Sequence, residues 1–429
     1  MLTLIRGGRI VDPGNMDGVG DILIEEDRII QIGSNPDPGS AGLSRKPDRV
    51  IDAAGKIVSP GLIDMHVHLR EPGQEYKETI ETGCRAAASG GFTTICCMPN
   101  THPVNDNAQI VEYIISRAKK AGLARVLPVG AISMGLAGNQ LSEYSEMKNA
   151  GAVAVSDDGR PVSDSLLMRR ALEYAKGFGL LVISHCEDLS LSANGSMNEG
   201  VTSTRMGLAG IPNAAESIMV LRDIALCELT GAPLHIAHVS TKESVEAIRR
   251  AKQRGIPVTA ETAPHYFTLT EEAVKNYNTH AKMNPPLRTE KDVAAIQEAL
   301  ADGTLDVIAT DHAPHAETEK NLEFDQASNG IVGLETSLAL GLNLVGQNIL
   351  TLPALIEKMS INPAKILGIQ NHLVPGAYAD ITLIDPEVIF EVDADQFKSK
   401  GRNTPFNGWQ LKGRALLTMV GGRVVFEDL

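Results

Sequence analysis

Gly61-Leu62-Ile63-Asp64-Met65-His66-Val67-His68 is an apolar, β-prone run that ends in a His-x-His pair. On an extended strand, residues two apart project to the same side, so both imidazoles can reach one ion from the strand's end. The pattern recurs down the chain. Ala152-Val153-Ala154-Val155 precedes Asp157-Asp158, and Leu180-Leu181-Val182-Ile183 precedes His185. A run beginning near Pro233 precedes His238, and Leu305-Asp306-Val307-Ile308-Ala309 precedes Asp311-His312-Ala313-Pro314-His315. Polar ligands recurring at strand ends, far apart in sequence, are how a parallel barrel builds one site on its carboxyl face.

Working outward, eight strand signals begin near Leu62, Phe92, Arg125, Ala152, Leu180, Pro233, Ile256 and Leu305. Between most of them lie amphipathic stretches of helix length: Tyr76 to Ala88, Asp164 to Lys176, Ser217 to Leu229 and Lys242 to Gln253. The alternation predicts a (β/α)8 TIM-type barrel over residues 59–365. A doubly wound sheet is the runner-up, disfavoured because no Gly-rich phosphate loop follows the first strand. The ends read as short strands punctuated by Gly, Pro and Asp: Leu2–Ile5, Arg9–Val11, Asp21–Glu25, Ile29–Ile32 and Val50–Asp52, then Asp380–Ile384, Leu416–Val420 and Arg423–Phe426. Gly7-Gly8-Arg9 is echoed by Gly421-Gly422-Arg423. Residues 1–58 and 366–429 are therefore expected to build a small β-sandwich domain together. Ser34–Asp48, rich in Pro, Gly and Ser, is expected to be a mobile surface excursion. Cys186–Asn213 is long for a βα loop and lies where loops shape a site.

The bulk numbers exclude several classes. Of 429 residues, 43% are apolar and 21% charged, which is ordinary for a globular enzyme. A net charge of −14 argues against nucleic acid, and means that an anionic substrate must be held by local cations. The five cysteines lack paired C-x-x-C spacing, and Cys96 and Cys97, in an apolar run, read as buried thiols in a reducing compartment. No signal peptide or membrane-length apolar run is visible, so a cytoplasmic protein is expected.

Each candidate is weak alone. A lone His-x-His can be a solvated strand end, and Asp-Asp-Gly is a common turn, with Asp157 and Asp158 not separable by periodicity. His235 lies three before His238 and should face the other side of its strand, so it reads as packing and His238 as the ligand. Together, imidazoles and carboxylates suit zinc or a similar divalent ion. Asp311, closing the eighth strand signal, could touch the metal and exchange a proton with bound water.

At these residues the chain resembles the cyclic amidohydrolases of the amidohydrolase superfamily, most closely the bacterial type I dihydroorotases. The resemblance rests on Asp64-Met65-His66-Val67-His68-Leu69-Arg70-Glu71-Pro72-Gly73, and on Ala309-Thr310-Asp311-His312-Ala313-Pro314-His315 with Lys320 beyond it. Met98-Pro99-Asn100-Thr101, Lys282 to Arg288 and Ser399 to Phe406 also resemble segments of that family, so the likeness spans essentially the whole chain. One departure is Ser328-Asn329-Gly330-Ile331, where the family often has Pro-Phe-Gly-Ile.

The resemblance implies two zinc ions, one held by His66, His68 and Asp311, the other by His185 and His238, with Asp158 bridging. It makes Asp158 the ligand in preference to Asp157, in place of the carbamylated lysine used elsewhere in the superfamily. It implies that Arg70, Asn100 and His315 grip a substrate carboxylate, that Asn284 contacts the ring, and that backbone contacts at Gly330 persist. Asp311 would move the catalytic proton. The implied reaction is the zinc-dependent interconversion of N-carbamoyl-L-aspartate and L-dihydroorotate, the third step of pyrimidine synthesis. A homo-oligomer, in the form of a dimer, and a complex with an aspartate transcarbamoylase are the implied assemblies. The alternatives are a hydantoinase or allantoinase, or a non-catalytic partner of that transferase.

Overall fold

The two ends of the chain meet in one sheet although the whole barrel separates them. The computed structural model describes residues 1–34 and 46–429, so the expected excursion Ser34–Asp48 lies, its ends apart, outside the described residues. The N-terminal strands are β1 (Leu2–Asp12), β2 (Met16–Glu25), β3 (Arg28–Gly33), β4 (Arg49–Asp52) and β5 (Ile57–Pro60). Leu2–Ile5 and Arg9–Val11, expected as separate strands, are one. Its register against β2 slips between Ile5 and Gly8, where Gly7 takes φ +73°. A bulge carries the strand across two turn-forming glycines.

The barrel strands follow as β6 (Leu62–Val67), β7 (Phe92–Cys97), β8 (Arg125–Gly130), β9 (Ala154–Ser156) and β10 (Leu181–Ser184). A short parallel pair, β11 (Met197–Asn198) and β12 (Gly210–Ile211), interrupts the series inside the long Cys186–Asn213 excursion. β13 (Leu234–Ile236), β14 (Val258–Thr262) and β15 (Val307–Ile308) complete it. All eight pair in parallel in chain order, and the ring closes where His312 bridges to Val67 and Ile331 and accepts from the His68 amide at 2.9 Å. This is the expected (β/α)8 barrel.

Helix starts follow capping chemistry. The helix expected from Tyr76 begins at Ile80, because Thr79 and Thr82 satisfy each other's backbone amides in a capping box. The Lys242–Gln253 helix begins where Thr241 accepts from the Ser244 amide. The Cys186–Asn213 excursion is not structureless: it holds two short helices and the β11–β12 pair. Arg288 pins it through Nη1, which donates to Asn198 Oδ1 at 3.0 Å and to the Ile211 carbonyl at 2.9 Å.

The C-terminal strands β16 (Ile381–Glu391), β17 (Gln410–Val420) and β18 (Arg423–Glu427) run antiparallel and join the first sheet in the order β18-β17-β16-β5-β1-β2-β3, with β4 on β1. The junction is β5, a strand that the sequence pattern did not suggest, so this sheet runs to Pro60. Ile5, Ile10, Ile22, Val58, Ile381, Leu383 and Leu417 bury a separate core there. Each such side chain contributes about 1.5–3 kcal/mol, which holds the chain ends together. The echoed Gly-Gly-Arg motifs differ in role. Gly421 and Gly422, at φ +53° and +71°, turn the β17–β18 hairpin, whereas Gly7 sits in a bulge. Among the described residues, no helix is long and apolar enough to cross a membrane.

Candidate active site

The strand ends bring the six expected metal-binding side chains into one buried cluster. Asp158 lies at its centre. Its Oδ1 is 3.3 Å from His66 Nε2 and 3.5 Å from both His185 Nδ1 and His238 Nε2, while Oδ2 is 3.5 Å from His68 Nε2. Asp311 Oδ1 lies 3.2 Å from His68 Nε2 and 3.6 Å from His66 Nε2. His185 Nδ1 and His238 Nε2 are 2.7 Å apart. The side chains thus fall into two groups with metal-ligand spacing that share Asp158: His66 and His68 on one side, His185 and His238 on the other.

Asp157, the competing carboxylate, turns away. It accepts from the Ser133 amide at 2.9 Å and from the Ser133 hydroxyl, and burial pushes its carboxyl up to about 6. His235 corrects a second expectation. β13 ends at Ile236 and His238 takes φ +33°, so strand alternation does not extend to His238. His235 is no mere packing residue: its Nε2 lies 3.2 Å from Glu261 Oε2.

Backbone strain occurs at three of these positions. Arg70 (φ +60°), His238 (φ +33°) and Asp311 (φ +47°) are non-glycine residues in the left-handed region, and all three carry site groups. Such strain costs of order 1–3 kcal/mol per residue and persists only where the surroundings over-determine it.

The electrostatics suit a cation. Burial raises the Asp158 carboxyl, but His66, His185 and His238 outweigh it and hold the group well below the usual carboxylate range. Asp311 is likewise lowered, its burial outweighed by His66 and His68. His66 is raised despite burial by the charges of Asp158, Asp311 and Glu261, and His185 is raised to about 10 by Asp158 and Glu187. His66 Nε2 and Asp158 Oδ1 are buried without a hydrogen-bond partner, although they face each other. Lone pairs converging on a shared space, from a mixed imidazole and carboxylate set, fit divalent metal.

A cavity of about 200 Å³ opens onto the cluster, lined also by Arg70, Asn100, Asn284, His315 and Asn329. Asn100 Oδ1 accepts from His68 Nδ1 at 2.9 Å, which leaves its amide N–H groups for another partner. Asn284 Nδ2 donates to Glu187 Oε2 at 3.0 Å, which leaves its carbonyl oxygen free to accept. Arg70 is buried; Nε donates to the Pro314 carbonyl at 3.2 Å and Nη2 lies 3.4 Å from His315 Nε2. The guanidinium makes no ion pair among the described residues. Burial and the cations Arg70, Lys77 and Lys320 depress His315 to about 2, so it is neutral.

Gly330 is set apart from the other expected contacts. It does not line the cavity, and both its backbone groups are engaged: N donates to Lys282 O at 2.9 Å, and O accepts from Asn403 Nδ2 at 2.9 Å. A β-carbon there would meet the Ala313 carbonyl oxygen at 2.6 Å, at φ +153°, which accounts for the glycine.

Four participants escaped the sequence reading. Glu187 accepts from His185 Nε2 at 3.0 Å, and its place two residues after that candidate histidine was the available signal. Glu261 contacts His66 with nothing local in sequence to announce it. Asp64 accepts from the His66 and Thr310 amides at 3.0 and 3.1 Å, tying the first ligand strand to the last. Lys320, noted only as part of a motif, donates to the carbonyls of Ser328 and Gly330 at 2.7 and 3.2 Å.

Comparison with known proteins agrees with this arrangement. A family model described as dihydro-orotase-like matches residues 55–244. A dihydroorotase of Desulforapulum autotrophicum is 59% identical over 427 residues, covering 100% of this chain and 99% of that relative. One from Geobacter metallireducens is 59% identical over 429 residues, covering all of both. The chain belongs to the dihydroorotase family. Among solved structures, the L-hydantoinase (dihydropyrimidinase) of Arthrobacter aurescens superposes with a TM-score of 0.87 at 27% identity, covering 99% of this chain and 96% of that one. A D-hydantoinase (dihydropyrimidinase) from Thermus sp. superposes at 0.81 with 26% identity, covering 99% and 95%. This chain and those hydantoinases therefore share their fold over nearly their whole length.

Proposed function

We propose that this protein is a dihydroorotase that interconverts N-carbamoyl-L-aspartate and L-dihydroorotate in pyrimidine synthesis. The observation that carries the reading is the buried Arg70 guanidinium, unpaired by any described carboxylate, beside the cluster in a full-length relative of named dihydroorotases. A buried cation is costly unless an anion meets it, and dihydroorotate carries a carboxylate that a hydantoin ring lacks.

We assign His66, His68 and Asp311 to one zinc ion and His185 and His238 to a second, with Asp158 bridging. Ions bound there would polarise the ring amide carbonyl and make water a nucleophile near neutral pH. Arg70 pairs the substrate carboxylate with its guanidinium fork, and the Asn100 amide donates to the same group. His315, oriented by donating from Nε2 to the Asn329 carbonyl at 2.8 Å, contacts the same carboxylate, and the Asn284 carbonyl accepts from a ring N–H. In hydrolysis, Asp311 takes the proton of the attacking water and delivers it to the departing ring nitrogen as the carbon–nitrogen bond breaks. In cyclisation, Asp311 takes a proton from the ureido nitrogen, which attacks the side-chain carboxyl carbon as water leaves. Cyclisation turns a dianion into a monoanion and so consumes one proton, and acid should favour it.

Purified protein should interconvert the two compounds, lose that activity to a chelator and regain it with zinc. Turnover of hydantoin in preference to dihydroorotate would replace the proposal with the hydantoinase reading.

The proposed assembly is a dimer of identical chains. Along the Ala214–Thr230 helix, the solvent face presents Ala214, Ile218, Leu221, Ala225 and Leu229, an apolar stripe at helical spacing. Ile218, Leu221 and Leu229 are 46%, 56% and 62% exposed. The rim carries both charge signs, Arg250 and Arg254 with Glu228 and Glu246. A two-fold contact needs one self-complementary patch, and the proposed contact uses this face. Sedimentation should show a dimer that L221E dissociates. A monomer that gains mass only with an aspartate transcarbamoylase would assign the face to that partner instead.

A further inference from the structure

The floor of the barrel holds a charged group that the reaction does not use. Glu261, on β14, is 1% exposed. Its Oε1 lies 2.7 Å from His66 Nδ1 and its Oε2 lies 3.2 Å from His235 Nε2. His235 Nδ1 in turn lies 2.8 Å from Thr259 Oγ1, two residues before Glu261 on the same strand. The chain Thr259–His235–Glu261–His66 thus crosses the barrel interior from β13 and β14 to the first ligand on β6. It ends at an imidazole whose other nitrogen faces Asp158 and Asp311.

A carboxylate only accepts, so its partner nitrogen on His66 must carry the hydrogen. That fixes Nδ1 as the nitrogen that keeps its hydrogen and directs Nε2 into the cluster, where a cation would displace any proton on it. The four histidines are not treated alike. His68 Nδ1 has the Asn100 amide oxygen and His185 Nε2 has the partly exposed Glu187, whereas His238 Nδ1 has no partner. His66 alone has a fully buried carboxylate that is itself oriented by a second imidazole. A buried carboxylate between two imidazoles is an expensive way to fill a barrel floor, and an apolar side chain would pack there at less cost.

We propose that Glu261, oriented by His235, is a positioning residue that sets the tautomer and donor strength of His66 and thereby tightens one of the two metal positions. The inference rests on the metal site proposed above. Outer carboxylates on ligating histidines typically change metal affinity by 10–100-fold.

The test uses protein stripped by a chelator and titrated with zinc chloride against a chromophoric competitor, with the melting temperature of the stripped protein measured in parallel. Wild type should take up zinc in two steps. E261Q should weaken one step by about 10–100-fold, leave the other in place and leave the stripped protein's melting temperature unchanged. H235Q should weaken the same step by a smaller factor. Wild-type zinc binding in E261Q would overturn the inference, as would equal weakening of both steps with a fall in melting temperature. If E261Q does not fold, H235Q decides by the same criterion. A wild type that binds no zinc would instead remove the site reading itself, a result distinct from a variant that matches a zinc-binding parent.

Discussion

Replacing Arg70 separates substrate recognition from metal chemistry. The guanidinium spends Nε on the Pro314 carbonyl, and Nη2 approaches the His315 ring. The rest of its fork can meet a carboxylate, and charge-assisted hydrogen bonds contribute about 1.5–3 kcal/mol each. R70M removes two such bonds and leaves the substrate carboxylate desolvated without a partner, a loss of about 3–5 kcal/mol. At 1.36 kcal/mol per decade, kcat/KM should fall by roughly 10²–10⁴. Because the bonds form in ground state and transition state alike, the loss should appear mainly in KM. R70K keeps the charge without the planar fork and should fall in between. The assay is steady-state hydrolysis of dihydroorotate, with dihydrouracil, the same ring without its carboxylate, as the internal control. Wild type should prefer dihydroorotate by about the factor that R70M loses, and R70M should show little preference. R70M within threefold of wild type on dihydroorotate would refute the assignment.

D311N should lower kcat by 10²-fold or more, since the amide cannot take the proton. Circular dichroism should show the barrel intact, and near-normal turnover would end the proton-transfer role. Lys320 gives a pH prediction. Burial lowers its ammonium from the ordinary 10.5 to about 7, with Lys282 adding to the effect. The cost of keeping it charged is complete below pH 7. It is relieved as pH rises from about 7 to 10.5, because the unfolded chain then binds more protons than the folded one. Denaturation at pH 7 and 9.5 should therefore show wild type gaining stability relative to K320M, on the order of a few kcal/mol; parallel curves would refute it.

The barrel was legible because its strands are buried on both faces and read as short apolar runs. Leu62, Phe92 and Arg125 begin their strands where expected, and the others begin within about two residues of the expected points. The candidate metal-binding residues stood out because each lies at or just past the end of such a run. What stayed hidden depends on contacts between distant segments. Glu261 sits inside Val258–Thr262 like any strand residue, and only the closed ring brings it to His66, 195 positions away. β5 was missed because Ile57–Pro60 abuts the first barrel strand and ends in proline, so it reads as a connection. The surroundings of Gly330 were hidden for a related reason: its carbonyl accepts from Asn403, 73 residues on.

The distribution of charge leads to one more consequence. Asp158, Glu187, Glu261 and Asp311 stand around a cavity or its floor and outnumber Arg70 and the two imidazoles whose proton affinity they raise, His66 and His185, so the protein's own groups repel an anion more than they attract it. The chain as a whole, at −14, offers no compensating field. Carbamoyl-aspartate carries two carboxylates and dihydroorotate one, so the repulsion should be larger for the former. Divalent ions at the six ligands would reverse the local sign and serve binding as well as chemistry. The stripped protein should thus lose affinity for both compounds, and more for the dianion than for the monoanion. Calorimetric titration of stripped and zinc-loaded wild-type protein with unreactive monocarboxylate and dicarboxylate analogues of the two compounds measures this directly. Equal affinities in the two states would show that Arg70 and the asparagines suffice, and that the metals act on the reaction alone.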